Sequence, residues 1–224
     1  MGVAPPPDSA RWHNLSASLP SGGFHAVLSK RHGDIFDTPL EEHRVALARE
    51  LGLATGALAV PRQVHGNVVT TGRAGHIHEE TDGLVTADPQ VVLTLQVADC
   101  APVYLAHEPS GTRGLAHAGW RGVSIGVLAQ AVEAMKRTGA VASEIAAFLG
   151  PCIEQSCYEV GPEVRRQFDA DLAHANGQGR YQLDLRAAIS RQLAQSGIPR
   201  DHINVSAICT RCDLSSHSYR RDGA

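Results

Sequence analysis

Three side chains in the first half of the chain have types suited to acting together. Cys100 follows Asp99 at the end of the apolar run Val91-Val92-Leu93-Thr94-Leu95-Gln96-Val97. His117 closes the next apolar stretch and leads into Ala118-Gly119-Trp120-Arg121-Gly122. His65 stands in Gln63-Val64-His65-Gly66, after Pro61 and before another β-like run. Two nitrogens and a thiolate make the three-ligand set of a catalytic zinc, with a fourth position left for water. Zinc lowers the pKa of that water towards about 7. A thiol beside an imidazole also describes a nucleophile and its base, with Cys100 attacking and His117 accepting the proton. Asp99, an acid that an apolar core would not choose, is the candidate proton shuttle.

Further residues suit the binding of an anion. Arg121 carries a permanent charge and a fork of donors, and Gly119 to Gly122 reads as a strand handing over to a helix. The N–H groups of Gly122 to Ser124 would then lie at that helix's positive end. Near the C-terminus, His217-Ser218-Tyr219-Arg220-Arg221-Asp222-Gly223 is either a frayed tail or a pocket wall, with Tyr219 stacking and Arg220 binding an anion. Gln63, Arg121, Tyr219 and Arg220 are the candidate substrate- and phosphate-binding residues. A competing metal site would use Cys209-Thr210-Arg211-Cys212, which has a zinc-knuckle gap, together with Cys152 and Cys157. No glycine turn or basic knuckle follows Cys212, which weighs against that site.

The elements that must position these groups are mostly short. Residues 1–22 hold Pro5-Pro6-Pro7, Pro20 and Gly22 and read as a flexible leader to one domain over 23–224. Thr38-Pro39 opens a helix that ends near Gly52. Val- and Leu-rich runs predict strands at 24–28, 58–60, 67–70, 82–86, 91–97, 102–106 and 112–116, with Pro109-Ser110-Gly111 turning the last two. Helices follow over 123–138 and 162–172, and a third over 185–196 is capped by Asp184. Strands are predicted at 145–149, 157–160 and 203–208. Successive strands without intervening helices predict an α+β fold with a mixed or antiparallel sheet.

Composition narrows the class. The chain has 224 residues, 43% of them hydrophobic, which suffices for a substantial core. Only 4% are aromatic, and the net charge is −3 with no basic block. Neither nucleic acid nor a membrane surface is therefore an expected partner. No apolar run approaches the ~20 residues of a membrane span, and the start lacks a signal-peptide pattern. A cytoplasmic location is expected, with the five cysteines as thiols or ligands rather than bridges.

Seven runs occur in an order that resembles the YfiH-like proteins, also named polyphenol oxidoreductase or laccase-domain proteins. They are Gln63-Val64-His65-Gly66, Thr81 to Thr86, Ala98-Asp99-Cys100, His117 to Gly122, Gly150 to Ile153, Cys157 to Val160 and Ser218 to Gly223. The resemblance covers about Val60 to Gly223. Ser29 to Asp37 is shorter than the family's segment and lacks its Gly-Gly-Val-Ser stretch. The resemblance implies a β-sandwich-like core flanked by helices, and one zinc on His65, Cys100 and His117. It implies phosphorolysis of purine nucleosides (adenosine, inosine, guanosine, methylthioadenosine), with adenosine deamination as a further activity. Nucleoside and phosphate would be the small-molecule partners of a monomer or homodimer. Two alternatives accompany it: a metal-free Cys/His hydrolase or amidase acting on a peptidoglycan precursor, and a copper laccase, for which the chain offers no second His-rich cluster.

Overall fold

The computed structural model describes residues 12–19, 24–30 and 40–223. Its centre is a mixed six-stranded sheet in the order β14-β10-β8-β9-β6-β4. These strands are β4 (Val69–Thr71), β6 (Gly83–Thr86), β8 (Ala101–His107), β9 (Thr112–Ala118), β10 (Ala146–Leu149) and β14 (Ile203–Val205). β8 and β9 form the predicted hairpin, turning over Glu108 to Gly111, where Gly111 takes φ +66°. β10 and β6 run antiparallel to its two strands, and β14 and β4 add parallel edges.

Alternation along β8 and β10 sends side chains to two faces. Val103, Leu105, Ala147 and Leu149 join the main core under α3 (Val127–Arg137) and α5 (Leu185–Gln195). α3 buries Val127, Leu128, Ala131, Val132 and Met135, the i, i+4 stripe of an amphipathic helix. Asp184 caps α5 by accepting from Ala187 N at 2.9 Å, as its position predicts, a bond worth about 1 kcal/mol. Tyr104 and Phe148 point the other way and stack at 6.0 Å between centroids. Leu15 and Ala26 cover them.

That second face explains a correction. Residues 12–19 were expected within a flexible leader, yet β1 (Trp12–Asn14) pairs with β2 (Val27–Ser29), and Trp12 and Leu15 are buried. The sheet face carrying Tyr104 and Phe148 needs an apolar cover, and this segment supplies it. The remainder of 1–22 lies outside the described residues. So do Thr38 and Pro39, the expected opening of α1 (Leu40–Glu50).

Smaller sheets flank the centre: β3 (Leu58–Pro61) between β5 (Ile77–His78) and β7 (Val92–Leu93), and β13 (Tyr181–Leu183) between β11 (Glu159–Val160) and β12 (Ala173–Ala175). The strand expected over 91–97 shrinks to β7. Beyond it Thr94 is tied through its N–H and hydroxyl to Ala59 O, and Gln96 through its backbone to the Gln63 side chain, and no ladder continues. The helix expected over 123–138 begins earlier, as α2 (Trp120–Ser124), and breaks at Gly126, which has φ +89°. Gln192 of α5 bridges the break, accepting from Leu128 N and donating to Val123 O. The expected 162–172 helix is only α4 (Pro162–Arg165) followed by a 3-10 turn. The C-terminal residues form α6 (Tyr219–Asp222), capped by Ser218. No helix among the described residues is long and apolar enough to cross a membrane.

Candidate functional site

The register of the β8–β9 hairpin brings the first two candidate ligands together. Ala101 pairs with Ala118 and Pro102 with His117, so Cys100, one residue before β8, lies level with Gly119 at the open end. The thiol therefore precedes a strand rather than closing one. His65 arrives on the loop between β3 and β4. The ligand atoms of His65, Cys100 and His117 all lie within 4.8 Å of one another, and the two imidazoles meet edge-on with centroids 4.8 Å apart.

Asp82 builds this arrangement. It is fully buried immediately before β6. One carboxylate oxygen accepts from His117 Nδ1 at 2.8 Å and from His65 N at 3.0 Å. The other accepts from Gly66 N at 2.7 Å and Val64 N at 3.1 Å. His65 holds φ +60°, an uncommon region for a non-glycine residue, and the three loop N–H bonds hold it there. Burial alone would raise the Asp82 carboxyl, but the bonds from His117, Gly66 and Val64 outweigh it and hold the group below the usual carboxylate range. With Nδ1 committed, His117 offers Nε2 to a metal, the usual arrangement for an oriented ligand. Sequence reasoning passed over Asp82 as part of a strand. The visible signal was an acid and a glycine opening the apolar run Leu84-Val85.

The cradle suits a metal in two further respects. A Cβ on Gly119 would come within 2.8 Å of Cys100 Sγ and 3.4 Å of His65 Cδ2, so the glycine keeps room beside the donors. Burial, with neighbouring His117, lowers the His65 pKa and favours the neutral, ligating form. Burial, with the charges of Asp99, Cys152 and Asp82, pushes the Cys100 thiol up to about 12. Without a cation beside it, that sulfur stays protonated at neutral pH.

The other candidates separate into two groups. Arg121 stacks on Trp120 at 4.6 Å, and Arg220 lies 5.0 Å above the Tyr158 ring while donating to Glu159 O at 2.7 Å. Both are exposed, as is Tyr219. Asp99 and Gln63 are occupied internally. Asp99, buried with φ +80°, accepts from Thr210 Oγ1 at 2.6 Å and from Arg220 N at 2.7 Å. Gln63 clasps the backbone of Gln96, donating to its O and accepting from its N, both at 2.8 Å. The anion site expected at Gly122 to Ser124 also changes. The helix starts at Trp120, has five residues, and already commits Val123 N to Gly119 O. Arg221, unremarked in the sequence, donates to Thr210 O, Asp213 O and Ser216 O and fixes the loop that carries Thr210. The concavities along α1, about 600 Å³, and beside β4 and β5, about 450 Å³, include none of the three ligands.

Residues 28–224 match the family described as multi-copper polyphenol oxidoreductase laccase. A Deinococcus radiodurans protein named purine nucleoside phosphorylase is 39% identical over 205 residues, covering 90% of this chain and 79% of its own. A protein of an unknown prokaryotic organism named adenosine deaminase RL5 is 38% identical over 201 residues, covering 80% of this chain and 76% of its own. The crystal structure of YlmD from Geobacillus stearothermophilus superposes with a TM-score of 0.81 at 30% identity, covering 88% of this chain and 86% of that one.

Proposed function

The chain belongs to the multi-copper polyphenol oxidoreductase laccase family, the YfiH-like proteins, and from that footing we propose that it is a metal-dependent purine nucleoside phosphorylase. The observation that carries the reading is the convergence of His65, Cys100 and His117 around Asp82. Two nitrogens and one sulfur, with an orienting carboxylate behind one imidazole, match a zinc site with an open position. A divalent metal bound there would supply Lewis acidity beside the substrate.

The chain's own groups supply the rest. Arg121 and Arg220 are exposed cations whose planes are held by Trp120 and Tyr158, and they bind phosphate. In phosphorolysis a phosphate oxygen bonds to the anomeric carbon while the bond to the purine nitrogen breaks, and the purine leaves with that electron pair. Positioned guanidinium groups stabilise the reacting phosphate electrostatically. Tyr219 and Val64 are exposed on the C-terminal helix and the His65 loop and offer apolar surface to the base. Asp99 and Gln63 are positioning residues: Asp99 holds the backbone of Arg220, and Gln63 holds the approach to Asp99.

The relative named adenosine deaminase favours a second activity at the same metal. The metal-free Cys100/His117 hydrolase fits less well, because its thiol is pushed up to about 12 by burial, whereas an attacking cysteine needs a depressed pKa. A multi-copper reading needs several His-rich clusters. Among the described residues, of the groups of three or more metal donors only one contains histidine. Release of free base from inosine with and without phosphate tests the reading.

A further inference from the structure

Near the site, but separate from it, lies a second group of donors. Cys157, Cys209, Cys212 and Glu154 each offer a ligand atom within 4.8 Å of the others. The Cys157 and Cys212 sulfurs are 3.4 Å apart, close to the ~3.8 Å between thiolates in a tetrahedral site with sulfurs about 2.3 Å from zinc. The set differs from the four-cysteine site considered from sequence. Cys152 turns away, is buried, and takes the Arg186 guanidinium at 3.4 Å. Glu154 stands in its place. The tight knuckle that no glycine announces is nonetheless formed, because Cys212 N and Asp213 N both donate to Cys209 O, at 3.1 and 2.9 Å. Arg211, exposed between Cys209 and Cys212, brings a positive charge beside the thiols and offsets part of the cluster's negative charge.

We propose that Cys157, Cys209, Cys212 and Glu154 bind a second zinc ion, with a structural role, that staples the C-terminal wall of the nucleoside site to the body of the domain. Three thiolates and a carboxylate fill four positions with no opening for substrate, which is the mark of a structural site. The ion joins two loops distant in sequence. On one side Tyr158, directly after Cys157, carries Arg220 above its ring. On the other, Thr210, directly after Cys209, donates to Asp99 beside Cys100. The second ion thereby sets the distance between Asp99 and the Arg220 segment.

Metal content of the full chain, purified from zinc-supplemented cells without chelators, tests the proposal. The His65→Ala variant, altered on an exposed loop, should retain one tightly held zinc after dialysis. Adding Cys212→Ala, at an exposed residue, should remove it. Cobalt loaded into His65→Ala should show charge-transfer absorption of a multi-thiolate site, lost with Cys212→Ala. A His65→Ala protein that holds no metal after dialysis overturns the proposal. Zinc retained despite Cys212→Ala in that background overturns it too, as does a Cys157–Cys212 disulfide in the freshly purified protein. Loss of the His65 site alone leaves these readouts unchanged, so the two metal assignments fail separately.

Discussion

The carboxylate of Asp82 links the two histidines of the candidate metal site, accepting from Nδ1 of His117 at 2.8 Å and from the backbone N–H of His65 at 3.0 Å. One buried acid thereby sets a ring tautomer on β9 and a strained backbone on the preceding loop. Asp82→Ala leaves four donors without a partner. It should weaken metal binding by about 10- to 100-fold, the usual cost of losing such a partner. It should also lower stability by about 3–5 kcal/mol. Chelator competition and denaturant unfolding measure the two effects, and an unchanged affinity would contradict the orienting role.

The same acid sets a pH dependence in the metal-free chain. Its folded pKa lies below the ordinary carboxylate value, so its contribution is fully present above the unfolded pKa of about 3.9. That contribution is lost as pH falls through the lower, folded value. As pH is lowered from about 5 to 2, the unfolding free energy of the metal-free protein should therefore fall more steeply for wild type than for Asp82→Asn. Parallel curves would count against the hydrogen-bonded carboxylate.

Gly119→Ala isolates the metal cradle. Gly119 has φ −84° and ψ 166°, which alanine adopts freely, but the added Cβ would meet Cys100 Sγ at 2.8 Å. Metal content should drop below half of the wild-type value, with the melting temperature of the metal-free protein shifted by no more than a few degrees, the change that about 1 kcal/mol produces. Full metal occupancy in this variant would show that Cys100 Sγ is not a ligand.

Asp99→Asn separates a proton shuttle from an anchor. Asparagine tolerates the φ of +80° at this position but can no longer accept from both Thr210 and Arg220. The anchoring role predicts a raised KM for phosphate with kcat within a few-fold. A collapse of kcat at unchanged KM would instead make Asp99 the proton carrier.

Leu15→Ala tests the N-terminal cover. Leu15 packs with Ala26 and Phe148, so truncation should cost about 2–3 kcal/mol, the lower part of the usual range for a core leucine. A freely moving leader would give no change in the denaturation midpoint.

Local signals in the chain were enough to locate much of this site. Pro109-Ser110-Gly111 marked the hairpin turn, Asp184 marked the start of α5, and residue type together with position beside β-like runs selected His65, Cys100 and His117. What stayed hidden depends on tertiary contact. Asp82 takes its importance from N–H groups 16 to 18 residues earlier and from a ring 35 residues later. Asp99 stood out as an acid in an apolar run, but its partners Thr210 and Arg220, 111 and 121 residues away, did not show in the sequence. The Val91 to Val97 run has the composition of a strand, yet only β7 finds a partner. Leu15 sits among prolines and polar residues, and only the apolar sheet face formed by Tyr104 and Phe148 calls it into the fold.

The most direct measurement follows free purine released from inosine and adenosine by the purified full chain, with phosphate present or absent. Wild type should release hypoxanthine and adenine with a matching amount of ribose 1-phosphate only when phosphate is present, and Cys100→Ala should lose both the activity and one metal equivalent. Base release independent of phosphate, or full activity in a metal-free, iodoacetamide-sensitive protein, would contradict the account.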